Sequence, residues 1–132
     1  PISDNLEFLF KESNSSLSAS GELENLIENN VIELEAVTYI RGRSIPNQFI
    51  IVDEAQNLTP HEIKTIITRV GANTKIVFTG DPYQIDHPYL DSDSNGLTYL
   101  VERFKNQPLA AHITFRKGER SELAQIAAEL LG

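Results

Sequence analysis

The stretch from Gln48 to Asn57 reads Gln-Phe-Ile-Ile-Val-Asp-Glu-Ala-Gln-Asn and holds the residues best suited to chemistry. Two adjacent carboxylates, Asp53 and Glu54, stand directly behind the apolar run Phe49 to Val52. Acids at the end of an apolar strand suit a cation and a water: the aspartate holds Mg²⁺, usually through water, and the next carboxylate orients the water that attacks a γ-phosphate. A second set follows at Thr79-Gly80-Asp81 and Gln84. Gly80 lets the backbone turn sharply, and the Gln84 amide both donates and accepts, which suits a group that reports a γ-phosphate. Three cations complete the candidates. Arg41 and Arg43 flank Gly42, and a solvated turn and a phosphate or nucleic-acid contact are equally open readings of that pair. Arg120 precedes a helical stretch, where a guanidinium reaches phosphate oxygens bidentately; the alternative is a surface pair with Glu119 or Glu122.

These side chains need elements to position them. Four consecutive apolar residues leave no polar alternation, so Phe49 to Val52 is predicted as a strand buried on both faces, opening into a crevice at its carboxyl end. Thr59-Pro60-His61-Glu62 is a helix start: Thr59 caps, Pro60 takes the first position and Glu62 closes a capping box. Ile63, Ile66, Ile67 and Val70 form the inward stripe, and Gly71 is the expected left-handed stop. Lys75 to Asp81 is then a second strand. Strand, helix, strand implies a right-handed crossover and parallel pairing, which brings Asp81 and Gln84 to the same rim as Asp53 and Glu54.

Around this unit the spacing predicts further elements. Asp4 to Lys11 reads as a short helix, residues 12–21 as a flexible loop rich in Ser and Asn, and Glu22 to Asn29 as a helix. Val31 to Ile40 is a strand candidate, with the strand expected from Ala36 to Ile40. Leu97, Leu100, Val101 and Phe104 mark a helix, Ala110 to Phe115 a last strand, and Leu123, Ile126, Ala127 and Leu130 the inward face of a closing helix.

Composition bounds the function. A chain of 132 residues is one domain. Its formal net charge of −8 argues against a broad nucleic-acid footprint, so any such contact is local or supplied elsewhere. There is no cysteine, which excludes disulfides and thiolate metal sites. No apolar run approaches a membrane span, and the expected setting is the cytoplasm without membrane contact. Pro1 reads as an interior residue of something longer.

One motif competes. Asp91 to Gly96 with Glu102 matches an EF-hand calcium loop, but the entering helix is missing and the helical spacing from Leu97 starts too early. Ser94 is more simply a helix cap. His61, His87 and His112 share no metal-ligand spacing.

Together, Tyr39-Ile-Arg-Gly-Arg-Ser, Ile50-Ile-Val-Asp-Glu-Ala-Gln-Asn, Thr68-Arg-Val-Gly and Thr79-Gly-Asp-Pro-Tyr-Gln-Ile-Asp resemble the carboxyl-terminal half of PhoH-family ATPases. The tail Lys117-Gly-Glu-Arg-Ser-Glu-Leu-Ala is more similar to the subfamily in which a PIN ribonuclease domain precedes the PhoH module. The resemblance implies an α/β, RecA-like P-loop NTPase core with a parallel sheet, and ATP and Mg²⁺ as cofactors. It also implies ATP hydrolysis coupled to RNA unwinding, and a ring-like homo-oligomer. By that likeness Asp53 serves the magnesium, Glu54 the water, Gln84 the γ-phosphate sensor and Arg120 the transition-state charge. Gln56, Gly80 and Asp81 would line the same site. The departure is that no Gly-Lys pair, and so no G-x-x-x-x-G-K-[ST] phosphate loop, occurs in these residues. The chain is therefore expected to be the Walker B and sensor half of such a domain, lacking the Walker A strand and loop, with an upstream Walker A segment as its complement. It is expected to be inactive alone. The gap in the sheet is expected to close by the last strand moving onto the sensor strand, or by pairing of two chains. The rival reading is a noncatalytic interaction module that keeps the fold.

Overall fold

A computed structural model describes residues 19–36, 42, 44–116 and 121–131. The chain divides into two compact units, residues 1–44 and 45–132. In the first, α1 (Ala19–Glu28) is the described helix. It starts inside the segment expected as a loop, since Ala19 is a strong helix former and Ser20 and Gly21 fall in the first turn, where few backbone hydrogen bonds are at stake. Asn30, with φ 54°, adopts the left-handed conformation that ends it. The expected helix over 4–11, most of the loop over 12–21 and residues 37–40 of the expected strand lie outside the described residues.

The second unit is built on β1 (Phe49–Val52) and β2 (Lys75–Phe78), which pair in parallel with Phe49 opposite Lys75 and Val52 opposite Phe78. α2 (Pro60–Ile67) makes the crossover between them. The capping box forms: Thr59 Oγ1 accepts from the Glu62 amide at 3.2 Å, and the Glu62 carboxylate accepts from the Thr59 amide at 2.8 Å. A cap of this kind is worth about 1 kcal/mol. Ile63 and Ile66 are buried beneath it. The helix does not stop at a left-handed Gly71. Its cap, Thr68, stays right-handed, its hydroxyl donating to the Lys64 carbonyl at 2.9 Å, and the left-handed residue beyond is Asn73. The Gly71 amide is used instead to donate to Ile45, which forms a parallel bridge with Val70.

α3 (Gly96–Phe104) packs on α2 and on the 3-10 turn Ala55–Asn57 that follows β1. The approach of α3 to α2 needs a residue without a side chain: a Cβ on Gly96 would stand 2.5 Å from Ile63 Cγ1 and 2.6 Å from the Leu58 carbonyl. Asn95, not Ser94, caps α3. Its carboxamide oxygen accepts from the Thr98 amide at 2.9 Å, while its nitrogen donates to the Asp91 and Ser92 carbonyls. The second half of the calcium-loop pattern is therefore helical, with Glu102 on α3 beside Lys105. Before it, Asp91 turns back on Ser94. Hydrogen bonding from the Ser94 side chain, then from the Ser94 and Asp93 amides, holds the Asp91 carboxyl below the usual carboxylate range.

Two burial expectations and one strand are corrected. β1 is not buried on both faces: Phe49 and Ile51 are 63% and 60% exposed, Ile50 is half-buried and Val52 buried. β2 alternates in the same sense, so one sheet face is covered and the other, bearing Phe49, Ile51 and Val77, is open. An unbroken apolar run records a strand that tolerates burial on both sides; a second layer must exist for the burial to happen. Residues 110–115 form no strand, and Ile113 and Phe115 are exposed. The expected closure onto β2 is absent: among the described residues β2 pairs with β1 alone. Finally, α4 (Glu122–Leu131) leaves Leu123, Ile126 and Leu130 exposed, where an inward face was expected.

Candidate functional site

Parallel pairing delivers the carboxyl ends of β1 and β2 side by side. The ladder continues past the strands, with the Thr79 amide donating to the Val52 carbonyl at 2.9 Å and the Ala55 amide to the Thr79 carbonyl at 2.9 Å. This lock fixes the two post-strand segments against each other. Asp53 follows β1 directly, and its Oδ1 accepts the Thr79 hydroxyl at 2.6 Å. The sequence places Thr79 in the second set but assigns it no role; the structure makes it the brace of Asp53. A hydroxyl immediately before Gly80 at a strand end was the available signal.

Glu54 occupies the left-handed region, φ 53° and ψ 37°. A non-glycine residue there carries about 1 kcal/mol or more of strain, and such strain persists only where the surroundings impose it. The imposing feature is the abrupt passage from β1 into the 3-10 turn, with the Ala55 amide held by Thr79. The Glu54 carboxylate is exposed, and its Oε2 accepts the Gln56 amide nitrogen at 2.6 Å. Its Oε1 has no hydrogen-bond partner among the described residues.

Gln56 does not line the rim. It lies fully buried beneath it. Its nitrogen donates to Glu54 Oε2 and to the Gln84 carbonyl at 2.9 Å, and its oxygen accepts the Asp81 amide at 3.2 Å. Gly80 makes room for this arrangement, since a Cβ there would stand 2.3 Å from Gln56 Oε1. The glycine is needed for that close approach, and its φ is not left-handed. Asp81 organises the loop that follows. One of its carboxylate oxygens accepts the Tyr83 amide at 3.0 Å, and the other accepts the Gln84 side-chain amide at 2.7 Å. Asn57 ties in the far end, accepting the Asp86 amide at 2.7 Å.

Of the residues singled out in the sequence, Asp53, Glu54, Gly80, Asp81 and Gln84 therefore meet at one rim, with Gln56 buried beneath it. Arg41, Arg43 and Arg120 lie outside the described residues. Among the described residues no group of three or more His, Asp or Glu side chains gathers to hold a metal. A single carboxylate braced by a hydroxyl suits Mg²⁺, which keeps most of its waters and takes its remaining ligands from phosphate. Beside the rim, an open cleft of about 1060 Å³ runs between Gly80 to Tyr83, α3 and residues 112–116. No described helix is long and apolar enough to cross a membrane.

Residues 1–131 match the family model described as PhoH-like protein. The chain is 61% identical over 132 residues to "Protein PhoH2" of Bacillus subtilis (strain 168), covering 99% of this chain and 29% of that protein. It is 38% identical over 109 residues to "Protein PhoH2" of Thermobispora bispora, covering 83% of this chain and 25% of the relative. Against a "PhoH-like protein" of Bacillus subtilis it is 45% identical over 82 residues, 62% of this chain and 25% of that one. The chain thus spans under a third of the length of these relatives. With a match over nearly all of its residues, the chain belongs to the PhoH-like protein family.

Proposed function

We propose that this chain supplies the magnesium- and water-handling half of an ATP-hydrolysing site. The observation that carries the proposal is the single rim on which Asp53, Glu54 and the loop from Gly80 to Gln84 meet, tied together through Gln56. Magnesium bound with ATP would supply neutralisation of the phosphate charge. Asp53, fixed by Thr79, would hold that ion through water. Glu54, anchored at one carboxylate oxygen and open at the other, would orient the attacking water. Gln84 would respond to the γ-phosphate by leaving Asp81, and Arg120 would meet the charge that develops in transfer. Positioning dominates phosphoryl transfer, so the residues that cradle the phosphates belong to the same site. An upstream Walker A segment is their expected source. Coupling to RNA, through Arg41 and Arg43 or through a PIN domain elsewhere in a longer protein, and ring assembly extend the proposal.

The test is Mg-ATP hydrolysis by this chain beside a version extended upstream through any encoded phosphate loop, with Glu54→Gln as control. Turnover by the extended form alone, abolished by the substitution, is the expected result. Absence of turnover in both forms favours the noncatalytic interaction module instead.

A further inference from the structure

Gln56 sits where an exposed acid and a ligand-responsive loop are joined by one buried amide. Its capacity for hydrogen bonds is nearly filled by protein: both nitrogen donors are used, on Glu54 Oε2 and the Gln84 carbonyl, and the oxygen takes the Asp81 amide. With no exposed surface and no donor to spare, it is not built to touch a nucleotide. A buried amide with one partner at each end of a site transmits position instead.

We infer that Gln56 is a positioning residue that sets the Glu54 carboxylate according to the conformation of the loop from Asp81 to Gln84. The inference rests on the proposed function and assigns its regulation. The contact to Glu54, at 2.6 Å and charge-assisted, is the shortest of the three. It fixes one oxygen of a residue whose backbone is already constrained at φ 53°. Any shift of the Gln84 carbonyl pulls on the same nitrogen that holds Glu54. The Gln84 side chain rests on Asp81, whose amide holds the other end of Gln56. Displacement of the Gln84 side chain by a γ-phosphate therefore bears on both contacts. The acid would be brought to its working position when the loop has been reset by substrate, and held away from it otherwise.

The experiment uses the upstream-extended protein and follows steady-state Mg-ATP hydrolysis in the wild type, Glu54→Gln, Gln56→Met, Gln84→Ala and the Gln56→Met/Gln84→Ala pair, each checked for folding by thermal unfolding. Methionine keeps the shape and length of Gln56 and removes its donors. The expected result is a fall in kcat of about 10- to 100-fold, the size of effect that misplacement of a reacting group produces, with KM for ATP within about twofold of wild type. Gln84→Ala should then cost much less in the Gln56→Met background than alone, because the wire between the two is already cut. If Gln56→Met does not fold, Gly80→Ala takes its place, since the added Cβ displaces the Gln56 amide without altering its chemistry. A rise in KM with kcat unchanged makes Gln56 a nucleotide contact and overturns the inference. So does strict additivity with Gln84→Ala, or an unchanged kcat, while Glu54→Gln is dead. Wild-type protein without turnover, or Glu54→Gln with full turnover, overturns the proposed function and this inference with it.

Discussion

The Thr79 hydroxyl and the Asp53 carboxylate are joined at 2.6 Å across the parallel pair, so the aspartate that follows one strand is aimed by the residue that follows the other. A hydroxyl that orients a metal-holding carboxylate contributes to ion affinity through that orientation. Thr79→Val keeps the β-branched shape and removes the donor. The magnesium concentration for half-maximal hydrolysis by the extended protein should rise about tenfold, while its secondary structure stays unchanged. A magnesium titration of initial rates checks this.

Glu54→Gly separates backbone strain from chemistry. Glycine adopts φ 53° without the Cβ penalty, although it also gives the unfolded chain more freedom. The relief of strain and the loss of the Gln56 contact act in opposite directions, so denaturant unfolding should place the variant within about 1 kcal/mol of wild type. Its hydrolysis should be abolished in the extended protein. Glu54→Ala, which keeps the strain, should be less stable than Glu54→Gly under the same conditions.

Gly96→Ala forces a methyl group onto Ile63 Cγ1 and the Leu58 and Thr59 carbonyls, two of which are backbone oxygens that cannot rotate away. Overpacking of this kind costs about 1–3 kcal/mol. The variant should unfold at a clearly lower urea concentration, and the control Gly42→Ala, where nothing lies within 4 Å of the added carbon, should be destabilised through its φ of 96° alone.

Asp91 gives a pH dependence with a definite sign. Its folded carboxyl titrates below the usual carboxylate range because the Ser94 side chain and the Ser94 and Asp93 amides bond its charged form. Its contribution to stability is therefore present above the unfolded value and is lost as pH falls through the folded one. Unfolding followed from pH 5 down to about pH 2 should show a loss that Asp91→Asn and Ser94→Ala each reduce. Wild-type and variant curves that stay parallel over that range would contradict it.

The crossover unit was legible from sequence because each of its signals has a local cause. The capping box at Thr59 fixed where α2 begins, the apolar runs fixed two strands, and the helical crossover between them implied the parallel pairing that puts both carboxyl ends on one rim. The unread features depend on contacts between segments. That Gln56 turns inward follows from the left-handed Glu54 and from the space at Gly80, neither visible in residue spacing. The exposure of Phe49 and Ile51, and the irregular course of residues 110–115, depend on which layers and neighbouring strands are present, whereas residue type reports only what a segment is willing to bury.

The open sheet face has a calorimetric signature. Unfolding normally hydrates enough new apolar surface to raise the heat capacity by about 12–15 cal/mol/K per residue. Phe49 and Ile51 are already mostly wetted in the folded chain, as are Leu123 and Leu130, at 77% and 78% exposure. The heat-capacity increment and the urea slope of the isolated chain should therefore both fall below the values its length implies. Its stability should vary little with temperature, a flat and shallow dome instead of a steep one.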